Sequence, residues 1–220
     1  MSSTDHKPST GVTYLVRHGR TSLSKTYITN GDPSAAVVMD SHGRSSCARA
    51  EREWGWLATV ASCRVSQFPR TRETAAMLLV GSSVEILPEP RLNELDYGSF
   101  EAGPWLEYGR WLTVAGPDAV PPGSRESWRS AARRMLAGLR ACLDLPSPRL
   151  VVAHGMLLSL VERVASPGHT VLDWPLPEAA YVTPLCLSDD ELTAVVERGL
   201  SNLTVPSRQQ VPPTTPGGHL

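Results

Sequence analysis

The sequence predicts a single α/β domain, a three-layer αβα sandwich with a mostly parallel central sheet. Strand-like and helix-like periodicities alternate along the chain, the order that builds parallel β–α–β units covered on both faces by helices. Two apolar, β-branched runs, "GVTYLVRHGRT" and "PRLVVAHGML", each end abruptly in His-Gly. The 220 residues are 41 % hydrophobic and 20 % charged, enough apolar material for one substantial core.

The elements follow in order. Residues 12–16 read as a strand and 46–61 as a helix carrying Cys47, Ala50, Trp54, Leu57, Ala58 and Ala61 on one face. A short buried strand is expected at 64–66, a helix at 70–79 and another short strand at 84–87. The clearest helix covers 126–143, where Trp128, Ala131, Ala132, Met135, Leu136, Leu139, Cys142 and Leu143 recur at three and four residues. "PPGS" before it supplies a breaker, with Ser124 as its N-cap. Residues 150–153 form a fully apolar strand and 155–164 a helix. Two last strands, 181–187 and 192–197, are expected around the turn "SDDE". Polar residues 1–10 and the Pro/Gly-rich 205–220 read as flexible tails around a domain at 11–204.

Composition bounds the function. A formal net charge of −1 offers no general surface for nucleic acid or an anionic membrane. The cations are almost all arginines, Lys7 and Lys25 being the two lysines, and arginine suits bidentate binding of phosphate or carboxylate. Cys47, Cys63, Cys142 and Cys186 are scattered without metal-finger or disulfide-framework spacing, so a reducing cytoplasm is the expected location. The polar start lacks the apolar segment of a signal peptide. No apolar run approaches the ~20 residues that span a membrane.

In open α/β sheets ligands gather beyond the carboxyl ends of the strands. His18 and His154 both stand there, each before a glycine that lets backbone or ligand approach closely. Arg17 precedes His18; "SQFPRTRETAAMLL" puts Ser66 at another strand end and Arg70 at the next helix start; "RLNELDYGSFEAG" puts Glu94 after a strand. Each residue also has a plainer reading. The histidines suit capping, Arg70 an exposed helix start and Glu94 a surface carboxylate. His18, Glu94 and His154 also suit zinc or iron as ligands. Arg17 and Arg70 oppose that reading, because two fixed cations favour an oxyanion over a metal.

Together, "LVRHGRT", "S-x-F-x-R-T-R-x-T-A", "L-x-E-x-D-Y-G-x-F-E" and "VVAHG" resemble the four signature segments of the histidine phosphatase superfamily, over about residues 12–165. That family includes cofactor-dependent phosphoglycerate mutases and many small-metabolite phosphatases. Weaker echoes are "VVMDSHGRSSC" and "RESWRSAARRM". The resemblance implies that His18 attacks phosphorus and carries a phosphohistidine, while Arg17 and Arg70 clamp the phosphoryl oxygens. It makes His154 a further oxygen ligand, expected as a cation, and Glu94 the general acid and then base. Glu94 needs a raised pKa, which the two arginines oppose.

The chain departs from the pattern around the pocket. Arg20 and Ser24 stand where the family often has Glu and Asn, "EAG" replaces the commoner "EG", and Met156 replaces a second glycine. Arg20, Thr21, Ser24 and Tyr97 are expected to join Arg17, Arg70 and His154 in binding substrate. Residues 102–127 are expected to form a lid whose Trp105, Tyr108 and Trp111, with Trp128 just beyond, contact a ring-bearing substrate or anchor the lid to the core. The activity implied is a metal-independent phosphatase of a small phosphorylated metabolite, with no cofactor, nucleic-acid or membrane partner, as a monomer or homodimer. The alternatives are a phosphomutase primed by a phosphorylated cofactor, and an idle relative that binds a phosphorylated ligand or a protein.

Overall fold

The computed structural model describes residues 11–166, 168 and 176–204. The tails at 1–10 and 205–220 lie outside the described residues. Five strands form one sheet: β1 (Val12–Arg17), β2 (Ser62–Val65), β3 (Ile86–Pro88), β4 (Arg149–Ala153) and β5 (Pro184–Ser188), in the order β3-β2-β4-β1-β5. β3, β2, β4 and β1 run parallel, and β5 joins the β1 edge antiparallel. The helices are α1 (Ser22–Lys25), α2 (Ser41–Glu53), α3 (Pro69–Leu78), α4 (Trp105–Ala115), α5 (Trp128–Cys142), α6 (Gly155–Ala165) and α7 (Asp189–Asn202).

The apolar run of β4 explains the three layers. Successive side chains of a strand point to opposite faces. Leu150 and Val152 pack with Cys47 and Ala50 of α2 and Ala75 and Leu78 of α3. Val151 and Ala153 pack with Met135 and Leu139 of α5, Leu157 of α6 and Val196 of α7. These four residues of β4 are fully buried, so a continuous hydrophobic run was required.

Three local expectations are corrected. Residues 192–197 belong to α7, not to a strand. Ser188 and Glu191 form a reciprocal capping box, and Asp189, Asp190 and Glu191 place negative charge at the helix N-terminus. "SDDE" is therefore a helix start, and Leu192, Val195, Val196 and Gly199 form its buried face. The N-cap of α5 is Ser127, paired with Ser130, while the Ser124 hydroxyl donates to the Asp96 carbonyl. The helix expected at 46–61 begins at Ser41, capped by the Asp40 carboxylate, and stops at Glu53, where Gly55–Thr59 continues as a 3-10 turn. Tyr14 stacks on Trp56 of that turn with ring centroids 3.7 Å apart.

Among the described residues no helix is long and apolar enough to cross a membrane.

Candidate active site

The register of two strands brings the histidines together. Arg17 pairs with Ala153 across β1 and β4, so His18 and His154 leave the sheet at the same level. The His18 amide donates to the Ala153 carbonyl at 3.0 Å, and the imidazole centroids lie 5.3 Å apart. Each following glycine fills a tight place. A Cβ at Gly19 would meet the Met39 sulfur at 2.2 Å and the Gly43 carbonyl at 3.2 Å; one at Gly155 would meet the Arg17 guanidinium at 3.2 Å.

Hydrogen bonds fix the protonation of both rings. His18 Nδ1–H donates to the Gly19 carbonyl at 2.8 Å, which leaves the lone pair on Nε2. Arg70 Nε–H donates to that Nε2 at 3.1 Å, and Arg70 Nη2 donates to His154 Nδ1 at 3.1 Å. His154 Nε2–H then donates to Ser66 Oγ at 2.7 Å, which donates to Thr71 Oγ1 at 2.8 Å; Thr71 ends the chain on the Phe68 carbonyl. The expectation of a cationic His154 is corrected: its Nδ1 is an acceptor. Burial, helped by Arg70 and other neighbouring charges, holds both histidines well below the ordinary value of 6.5.

Arg70 reaches this position because α3 starts at Pro69, a residue suited to the first helical turn, and turns Arg70 inward. Its guanidinium lies 4.2 Å from the Phe68 ring centroid. Nη2 donates to the Asn30 carbonyl at 3.0 Å and Nη1 to the Asn30 side-chain oxygen. Arg17 leaves β1 and is held by the far end of the chain: Nη1 donates to Glu178 Oε1 at 3.1 Å and to the Ala179 carbonyl, and Nη2 to the Tyr181 hydroxyl at 2.8 Å. The Tyr181 ring centroid lies 3.7 Å from its guanidinium carbon. Among the described residues, the buried Nε of Arg17 has no hydrogen-bond partner.

Glu94 is carried by a loop knitted to α5. Arg134 donates to the carbonyls of Arg91, Asn93 and Glu94, while Glu126 braces its other edge. The Glu94 carboxylate accepts from the Leu95 amide at 2.9 Å. Desolvation raises its pKa, outweighing the Leu95 bond and the pull of Arg70, Arg17 and Arg134. Burial therefore supplies the upward push that the two arginines alone would deny.

These groups meet at a cavity of about 370 Å³ lined by Arg17, His18, Arg70 and Glu94. Thr21, Ser24 and Tyr97 also line it. Thr21 and Ser24 spend their hydroxyls on each other's backbone as a capping box for α1. Burial raises the Tyr97 pKa well above its ordinary value and keeps the phenol neutral. Arg20 is not among the lining residues; its Nε donates to Asp40 at 2.8 Å, at the start of α2. Trp105, Tyr108 and Trp128 reach the cavity, whereas Trp111 packs beside Phe100 and Tyr108. Residues 102–127 are tied to the loop after α1: the Trp105 amide donates to the Tyr27 carbonyl, and Thr29 to that of Gly103.

Among the described residues, no cluster of three or more His, Cys, Asp or Glu side chains is placed to hold a metal ion. Asn30, Arg134, Glu178 and Tyr181 belong to the site although the sequence did not single them out. Asn30 and Tyr181 carry no spacing signal. Arg134 reads as one more arginine on the polar face of α5.

A family model for the histidine phosphatase superfamily, branch 1, matches residues 13–196. The chain belongs to the histidine phosphatase superfamily. Within it, the chain is 33 % identical over 158 residues to a protein of Cronobacter sakazakii named "Probable phosphoglycerate mutase GpmB", a match covering 66 % of this chain and 70 % of that one. A Yersinia pestis protein of the same name is 30 % identical over 157 residues, with 66 % and 70 % covered. In fold, the chain is similar to a mycobacterial glucosyl-3-phosphoglycerate phosphatase in complex with VO3 (TM-score 0.66, 20 % identity, 81 % of this chain and 92 % of that one). It is also similar to a putative alpha-ribazole-5'-P phosphatase of Escherichia coli (TM-score 0.58, 21 % identity, 73 % and 82 %). This histidine phosphatase fold thus sets two arginines, the neutral His18 and a carboxyl of raised pKa around one cavity; the neutral His154 is fully buried against Arg70 and is not among the lining residues.

Proposed function

We propose that this histidine phosphatase hydrolyses a small phosphorylated metabolite through a phosphohistidine on His18, without a metal. The observation that carries the reading is the His18 ring: buried and neutral, with Nδ1 tied to Gly19 and the Nε2 lone pair aimed at Arg70. A neutral imidazole is a good nucleophile toward an anionic ester and a good leaving group afterwards.

In the first step Nε2 attacks phosphorus, the bond to the ester oxygen breaks, and Glu94 gives its proton to the departing alkoxide. Arg17 and Arg70 hold the phosphoryl oxygens, with their planar donors matched to the charge that spreads over them in the transition state. His154, neutral and held by Ser66, accepts from Arg70 and so positions that guanidinium. In the second step Glu94 takes a proton from water, which attacks the phosphohistidine and releases inorganic phosphate.

The names of the curated relatives favour a second reading, a phosphomutase primed by a bisphosphorylated cofactor. One experiment separates the two. Turnover of a good substrate in heavy-oxygen water should place the label in released phosphate, and an alkaline quench should trap a phosphoenzyme that His18→Ala lacks. Phosphate that migrates to a second hydroxyl only when a bisphosphorylated primer is added would establish the mutase. Absence of both products would leave a ligand-binding relative.

A further inference from the structure

The charges around the cavity are unevenly placed. Among the described lining residues, the cationic side chains are those of Arg17 and Arg70, both at the His18 end. Arg70 is already committed to His18, Asn30 and His154. Two carboxylates, Glu94 and Glu178, line the same space. Glu178 pairs with the outer edge of Arg17, yet about half of its side chain remains exposed. Much of the remaining lining is apolar, with Leu23, Ile28, Trp105, Met156 and Leu176.

We infer that Glu178 is a specificity-determining residue: it disfavours phosphate esters whose alcohol carries a second negative charge, so the site accepts phosphoryl groups on uncharged, apolar or ring-bearing alcohols. The inference rests on the His18 end being the phosphoryl site. Glu178 offsets part of the charge of the two arginines before a ligand enters, while Glu94, of raised pKa, serves as the acid. A phosphate monoester takes the end where Arg17 and Arg70 lie beside His18. A second anion in the cavity finds, among the described lining residues, no cation beyond Arg17 and Arg70 and meets the like charge of the Glu178 carboxylate. Discrimination then comes from a repulsive element as much as from contacts to the right alcohol.

Two phosphonates of matched shape test this without turnover: 4-carbamoylbenzylphosphonate and 4-carboxybenzylphosphonate, titrated calorimetrically against the whole chain at low salt. The neutral ligand should bind about tenfold or more tightly than the anionic one. Glu178→Gln retains an oxygen that accepts from Arg17 and removes the charge, so it should narrow that ratio at least about threefold by tightening the anionic ligand. A residue that only braced Arg17 would change both affinities together. Equal affinities in the wild type, or a ratio unmoved by Glu178→Gln, overturns the inference. Phosphate release from the matching benzyl phosphates is scored separately. Selective binding without release would overturn the phosphatase reading and leave this one standing.

Discussion

Arg70 Nε lies 3.1 Å from His18 Nε2, donating to the atom that the proposed chemistry uses as nucleophile. A fixed cation at this place keeps the imidazole unprotonated and stands where a transferring phosphoryl group needs an oxygen ligand. In the proposed chemistry one arginine thereby prepares the nucleophile and binds its target.

The buried histidines make stability depend on pH. In the folded protein His18 and His154 are held well below 6.5, whereas the unfolded chain protonates them as pH falls through about 6.5. The unfolded state then binds more protons than the folded one. Their contribution is complete above that pH and is lost progressively below it, by up to about 1.4 kcal/mol per pH unit for each histidine. Urea unfolding at a series of pH values should show the slope, and His18→Ala should reduce it by the share of one histidine. An identical slope in that variant would remove His18 from the linked groups.

Glu94→Gln should show a defect that depends on the leaving group. Phosphoenzyme formation from an alkyl phosphate should slow about 10²–10⁴-fold, the usual scale of general acid catalysis, and formation from nitrophenyl phosphate far less. Because the Glu94 pKa is raised in the fold, its acid form persists to higher pH than that of an ordinary carboxyl. The basic limb of the alkyl-phosphate rate should therefore vanish in Glu94→Gln. Rapid-quench kinetics measure this first step; equal slowing with both substrates would assign the acid elsewhere.

Asn30 acts through Arg70. Both its carbonyl and its side-chain oxygen accept from the guanidinium, and its amide reaches Glu101 at 3.3 Å. Asn30→Ala removes two hydrogen bonds to charged groups; the one from Arg70, worth about 1.5–3 kcal/mol, bears on the site, so vanadate affinity and kcat should fall about ten- to a hundredfold. Thermal stability should change little by comparison. Unchanged vanadate binding in a folded variant would mean that Arg70 keeps its position without Asn30.

Chelation should leave activity intact. The proposed site neutralises phosphate with Arg17 and Arg70, so hydrolysis of an aryl phosphate in excess EDTA should match the untreated rate. Loss on chelation, restored by zinc or iron, would point instead to a metal held by His18, Glu94 and His154.

What the sequence determined was the element order and the chemistry-bearing residues at strand ends. The unbroken apolar run 150–153 specified a strand buried on both faces, and the two His-Gly endings stand at the carboxyl ends of two paired parallel strands. Residues 192–197 misled because alternation over so short a run fits strand and helix alike; the capping box at Ser188 and Glu191 decides between them. Tertiary structure decided the rest. Only the pairing of Arg17 with Ala153 sets the two imidazoles at one level, and only folding brings Asn30 to Arg70, Arg134 to the Glu94 loop, and Glu178 and Tyr181 to Arg17. Arg20 shows the same limit in reverse, since nothing local reveals that Asp40 will claim it. Protonation was also beyond the sequence. Burial and the placement of neighbouring charges hold His154 neutral and raise Glu94, and both depend on contacts between residues far apart along the chain.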